Sequence, residues 1–182
     1  MNVSNIALLS SSTSNPPIYT IKHPYPQRFS LPFEVIKYMI QNCKSGKAWK
    51  KLIMTCKHFY SKKPVFPVKH LHAYPDSKCE ADEEKFNSSK FFPKLWLYDS
   101  LCANTMMSTP KIYKFDLQVL RIAFQNLSFA DYQKLTSSGS LKNIGLRFVT
   151  IENADDTIVP ADKLLEGLDN LDKFFMVYSN NL

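Results

Sequence analysis

Residues 31–59 read LPFEVIKYMIQNCKSGKAWKKLIMTCKHF, and their spacing is helical. Pro32 suits the first turn of a helix, where a missing N–H costs nothing, and Glu34 lies in the same turn, at the positive end of the helix dipole. Leu31, Val35, Ile36, Met39 and Ile40 then fall on one face. The polar run Gln41–Gly46 ends this helix, and Ser45 is placed to cap a second one. In that second helix Ala48, Trp49, Leu52, Ile53, Cys56 and Phe59 or Tyr60 form the apolar stripe, while Lys47, Lys50, Lys51 and Lys57 take much of the remaining surface. Pro64 and Pro67 stop helical structure. The two stripes either pack on each other, as in any helical hairpin, or stay partly exposed until a partner covers them.

Working outward, residues 1–28 are rich in Ser, Asn, Thr and Pro and are expected to form a disordered leader. Residues 69–90 are polar and charged and read as a linker between the helical module at 29–68 and a region at 91–182. In that last region an apolar pattern recurs. Phe92-x-x-Leu95-x-Leu97 is followed by Leu117-x-x-Leu120-x-Ile122, by Leu141-x-x-Ile144-x-Leu146 and loosely by Leu171-x-x-Phe174-x-Met176, at offsets of 25, 24 and 30 residues. The alternating end of each unit suits a short strand. Helix signals lie between units: Ser128-x-x-Asp131 resembles a capping box with Gly139 as a stop, and Pro160-Ala161-Asp162 opens another segment ending near Gly167. A strand-and-helix unit of this period is that of leucine-rich-repeat arrays. The alternative is a single α/β layer in which the period is coincidence. Arg121, Gln125, Arg147 and Thr150 are candidates to face outward from the strands.

Composition narrows the function. The chain has 182 residues, 45% of them hydrophobic and 13% aromatic, enough for a real core. With four glycines, a phosphate-cradling loop is not in evidence: Gly46-Lys47 lacks the earlier glycine of a P-loop. No apolar run is long enough to span a bilayer, and the start has too little apolar length for a signal peptide, so a cytoplasmic or nuclear location is expected. Cys43, Cys56, Cys79 and Cys102 form no CxxC pair. His70, His72 and Cys79 lack a fourth zinc ligand at sensible spacing, and neither a metal nor another cofactor is expected. Residues 1–75 hold eleven Lys or Arg and one acid, Glu34, whereas residues 76–182 hold twelve basic and fifteen acidic residues. The basic field thus belongs to the helical half and attracts an acidic partner.

The Leu-Pro-x-Glu-Val-Ile opening, the later Trp49, Leu52 and Ile53, and the Cys56-Lys57-x-Phe59 end resemble an F-box, the helical adaptor that plugs into the Skp-family subunit of cullin ubiquitin ligases. With the recurring pattern, and with FDLQVLRIAFQNLSFADYQKLTSSGSL in particular, the chain is similar to the expanded F-box families of roundworms that carry leucine-rich-repeat-like regions. The resemblance implies an α+β fold: a small N-terminal helical F-box-like module followed by a short leucine-rich-repeat-like strand/helix array. It implies a substrate-recognition adaptor in which Leu31, Pro32, Val35, Ile36, Ile40, Trp49, Leu52 and Ile53 form or support the surface for the Skp-type subunit. The repeats would hold an unknown protein substrate. The segment after Leu52 is more lysine-rich than the usual pattern.

Two other readings compete. Lys44, Lys47, Lys50, Lys51, Lys57, Lys62 and Lys63 beside Trp49 and Phe59 are a mixture that neutralises phosphate and stacks bases, but Trp49 shares the apolar stripe and no nucleic-acid-binding signature accompanies it, so nucleic acid is disfavoured. The other is a repeat-bearing interaction protein with no ligase connection. An enzyme is not expected: the histidines (His23, His58, His70, His72) and the acidic clusters suggest no triad.

Overall fold

A computed structural model describes residues 31–91, 93–105 and 111–177; the leader expected over 1–28 lies outside them, as do residues 29–30. Helices α1 (Phe33–Asn42) and α2 (Gly46–Thr55) form where the apolar spacing puts them, and a short α3 (Lys57–Lys62) follows. Pro32 is the N-cap of α1 rather than its first helical residue. Ser45 caps α2, its hydroxyl accepting the Ala48 N–H at 3.4 Å. Extended backbone at Cys56 separates α2 from α3, and the chain turns into a strand just after Pro64.

The rest is one sheet. Its strands are β1 (Val65–Ala73), β2 (Lys78–Ala81), β3 (Glu84–Asn87), β4 (Lys94–Ala103), β5 (Ile112–Phe115), β6 (Val119–Ser128), β7 (Asn143–Glu152) and β8 (Lys173–Val177), with α4 (Phe129–Thr136) before β7 and α5 (Ala161–Leu165) before β8. The order is β3-β2-β1-β4-β6-β7-β8, with β5 beside the first part of β4. Strands β2 and β3 form an antiparallel hairpin on β1, and the remaining pairs are parallel. Pro67 is tolerated in β1 because β2 pairs only with Leu71–Ala73, so the first half of β1 has one free edge. Among the described residues no helix is long and apolar enough to cross a membrane.

This architecture corrects the expected fold class. The chain is not a helical module joined to a separate repeat array: an eight-stranded mixed sheet dominates, and α1–α3 pack onto it. Residues 69–90 are the end of β1, the β2–β3 hairpin and a 3-10 turn (Ser88–Lys90) rather than a linker. The polar, charged composition that suggested a linker belongs to a hairpin at the sheet edge, where charges oppose further pairing. The array reading fails at its first unit. Leu120 pairs with Leu101, not with Leu95, and it is Ile112 that pairs with Leu95.

The two faces of the sheet are unlike. Leu95, Leu97, Leu101, Leu120, Ile122, Ile144 and Leu146 belong to one large core that also takes Tyr132 and Leu135 of α4 and Leu164 of α5. Trp96 lies between Leu95 and Leu97 and therefore points the other way, into a smaller core with Trp49, Phe59 and Val65. On the large-core face the alternation changes phase within β6 and β7. Leu120 and Ile122 are buried before Phe124 and Leu127 after it; Ile144 and Leu146 are buried before Phe148 and Val149 and Ile151 after it. Phe124 and Phe148 have positive φ, 56° and 54°, and each inserts the one residue needed to shift the phase while the two strands stay in step.

Because Leu120 and Leu146 are fully buried, Leu120→Ala or Leu146→Ala is expected to cost about 2–5 kcal/mol in denaturant unfolding. Arg121→Ala, one residue along on the opposite face, is expected to cost less than about 0.5 kcal/mol. Equal losses at the two kinds of site would show the alternation to be wrong.

Candidate functional site

The N-terminal helices carry an apolar side that the sheet does not use. Inward, α2 is held hard against β4. A Cβ on Gly46 would stand 2.7 Å from Tyr98 Cβ, so only glycine permits this approach. Trp49 is completely buried; its ring meets Phe59 edge to face at 6.3 Å, and its Nε1–H donates to the Val65 carbonyl at 2.9 Å. Trp96 closes the cluster from β4 and donates Nε1–H to Asp116 at 2.6 Å. The Lys63 ammonium lies over Trp49, Trp96 and Tyr113 at 5.3, 5.0 and 5.0 Å, a cation among three ring faces.

Outward, α1 has no buried residue. Phe33, Val35, Tyr38 and, from α2, Met54 are 60%, 41%, 66% and 77% exposed. Of the residues expected at the adaptor surface, Pro32 and Val35 are exposed, and Leu31, Ile36, Ile40, Leu52 and Ile53 are half-buried. The last four also pack against the Trp49 cluster. Trp49 is set apart from them: its indole is core, with no surface left for a partner. Phe33, Tyr38 and Met54 were missed because they lie off the inward stripes. Their signal was apolar side chains at positions where a solvated helix face carries polar ones.

Two members of the lysine cluster are engaged within the fold, while Lys44, Lys47, Lys51, Lys57 and Lys62 are exposed. Lys50 is tied to Asp82 at 2.6 Å, Lys63 is among the rings, and Trp49 and Phe59 are buried. Asp82 also accepts the N–H groups of Lys69 (2.9 Å) and His70 (2.8 Å), at the point where the β1–β4 register shifts. It thus satisfies backbone donors exposed by the bulge and pins α2 beside them. Partial burial pushes the Asp82 carboxyl up, but the Lys50 ammonium and the two N–H groups outweigh it and hold the pKa below the ordinary carboxylate value. The hydrogen bond to Asp82 raises the Lys50 pKa, against partial burial.

Elsewhere, His70 Nδ1 lies 2.8 Å from Ser100 Oγ and 3.3 Å from Asp99, and His72 stacks on Tyr74. Among the described residues no group of three His, Cys, Asp or Glu side chains could hold a metal. Of the outward strand candidates, Arg121 and Arg147 are exposed, while Thr150 and Gln125 are half-buried and Gln125 Nε2 donates to the Ala103 carbonyl at 3.2 Å. Comparison with family models, with curated proteins and with solved structures finds no match to the chain.

The Lys50–Asp82 tie makes a pH-dependent contribution of known sign. A depressed carboxylate contributes stability above its unfolded pKa, about 3.9, and loses it as pH falls through the lower folded value; a raised lysine contributes below about 10.4 and loses it as pH rises through the higher folded value. Asp82→Asn is therefore expected to lower the thermal midpoint at pH 7, with the deficit against the parent shrinking as both are acidified below the carboxylate range. A deficit independent of pH would assign the effect to geometry alone.

Proposed function

We propose that the corner formed by α1 and α2 is a docking surface for a Skp-type subunit, and that the protein is a substrate-recognition adaptor of a cullin ubiquitin ligase. The observation that carries this reading is the state of α1. A helix bearing Phe33, Val35, Ile36, Tyr38, Met39 and Ile40 contains no buried residue, although these helices are already packed against a sheet. A helix normally buries its apolar face against its own protein; apolar surface left outside is the mark of an interaction site. The order of residues along that surface, Leu-Pro-x-Glu-Val-Ile and later Leu52-Ile53, is F-box-like and supports a Skp-type partner over an arbitrary one. The excess of lysine around it suits an acidic partner by steering encounter.

In this reading Phe33, Val35, Tyr38 and Met54 make the contact, Leu31, Ile36, Ile40, Leu52 and Ile53 form its floor, and Trp49 holds the floor to the sheet. A protein with the same corner and no ligase connection is the second reading, and the same experiment separates them. The purified chain is expected to co-elute with a Skp-type subunit. Phe33→Asp with Val35→Asp is expected to abolish co-elution, since burying an unpartnered carboxylate costs several kcal/mol. Because neither side chain is buried, the thermal midpoint should stay close to the parent's. A folded double variant that binds as well as the parent, or a parent that does not bind, would reject the adaptor.

A further inference from the structure

We propose a second binding site, independent of the adaptor reading: the open face of β4, β6, β7 and β8 binds single-stranded nucleic acid. On the face opposite the large core, cross-strand partners place His72, Cys102, Arg121, Gly145 and Phe175 in one row. Flanking rows carry Lys173 opposite Asn143 and Arg147 opposite Ala123. Gly145 and Ala123 keep the middle low, and a concavity of about 580 Å³ lies between the cations. Parallel sheets normally have both faces covered. Here α4 and α5 serve the large-core side and the N-terminal helices reach the other side only near Trp96.

Three observations fit one class of ligand. Arg121, Arg147 and Lys173 are exposed, and among the described residues no ion pair engages them and no carboxylate lines the concavity. Asp169 and Asp172 line a separate depression. Second, large aromatic rings stand out of this face: Phe124 is 63% and Phe175 60% exposed. Third, Phe124 is held outward against backbone preference. Its φ of 56°, matched by 54° at Phe148, is a conformation that bulky residues adopt at a cost and that persists mainly where function uses it. The Phe124 and Phe148 rings lie 5.4 Å apart, with the Arg147 guanidinium 5.8 and 5.3 Å from them. Cations beside exposed ring faces neutralise phosphate and stack unpaired bases. An acidic peptide would use the cations and leave the rings idle, and a duplex has no unstacked base to offer them. The expectation against nucleic acid concerned the lysines of the first 75 residues; this face belongs to the half of the chain whose net charge is acidic, so local arrangement and not bulk charge defines it.

The test is fluorescence anisotropy of the full chain with labelled oligouridine and oligothymidine of about ten nucleotides, within the site sizes of single-strand-binding surfaces. Saturable binding that weakens as salt rises is expected. Arg147→Glu with Lys173→Glu should abolish it. Phe124→Gly and Phe175→Ala should each weaken it about tenfold, the scale of one lost base stack. Glycine accepts a left-handed φ freely, so Phe124→Gly should keep or raise the thermal midpoint while losing affinity, which a purely structural role would not produce. Failure to bind either oligonucleotide, indifference to the Phe changes, binding lost on Lys47→Glu with Lys51→Glu instead, or a Glu-rich peptide or DNA duplex binding where the single strands do not, would each overturn the proposal.

Discussion

The hydrogen bond from the Trp49 indole to the Val65 carbonyl, 2.9 Å and fully buried, is the contact on which the arrangement of the N-terminal half depends. A buried indole N–H needs an acceptor. The one it finds is the first residue of β1, at a stretch of strand with one free edge. The bond therefore sets the place where helix gives way to sheet. Around it Gly46 lets α2 close on Tyr98, Phe59 brings α3 against the ring, and Asp82 reaches from the β2–β3 turn to Lys50. The inward stripe of the helices is consumed in this packing. What remains outside is the second side of α1, and the docking corner follows from it.

The same economy governs the sheet. Two short helices and the inward side chains of β1, β4, β6, β7 and β8 make one core, and three N-terminal helices cover a corner of the opposite face. Among the described residues nothing covers the rest of that face. Its character is decided by the phase change at Phe124 and Phe148, which moves later core residues from even to odd positions and leaves two rings beside Arg147. One local backbone feature, repeated in register on adjacent strands, both completes the core and shapes the surface behind it.

Much of the local structure was legible. The 3.6-residue period of Val35, Ile36, Met39 and Ile40 gave α1; Ser45 gave the start of α2; Ser128 with Asp131 gave the start of α4, where the Ser128 hydroxyl accepts the Asp131 N–H at 3.1 Å. The alternation of Leu120 with Ile122 and of Ile144 with Leu146 placed these four side chains in one core, with Arg121 and Arg147 outside it. The offset of 24 residues between Leu120 and Ile144 matches a true strand pairing, whereas the offset of 25 from Leu95 to Leu120 does not, because a register shift and the added β5 intervene.

By itself the sequence determined helices α1, α2 and α4, the strands around Leu120–Ile122 and Ile144–Leu146, and which side of each is apolar, since those properties depend on side-chain spacing and caps within a few residues. The apolar stripe of α2 could not say whether it met α1, a partner or a sheet; the fold places Trp49 against Val65 and Trp96, residues 16 and 47 positions away. Nor could charge content say that residues 69–90 form a strand end and hairpin, or that Lys50 belongs to Asp82, 32 residues on. Strand order, the register that sets Arg121 beside Gly145 and Phe175, and the positive φ at Phe124 and Phe148 within β6 and β7 were decided only by tertiary structure. Each depends on distant segments satisfying one another's hydrogen bonds and burial at once, and no local window of sequence carries that information.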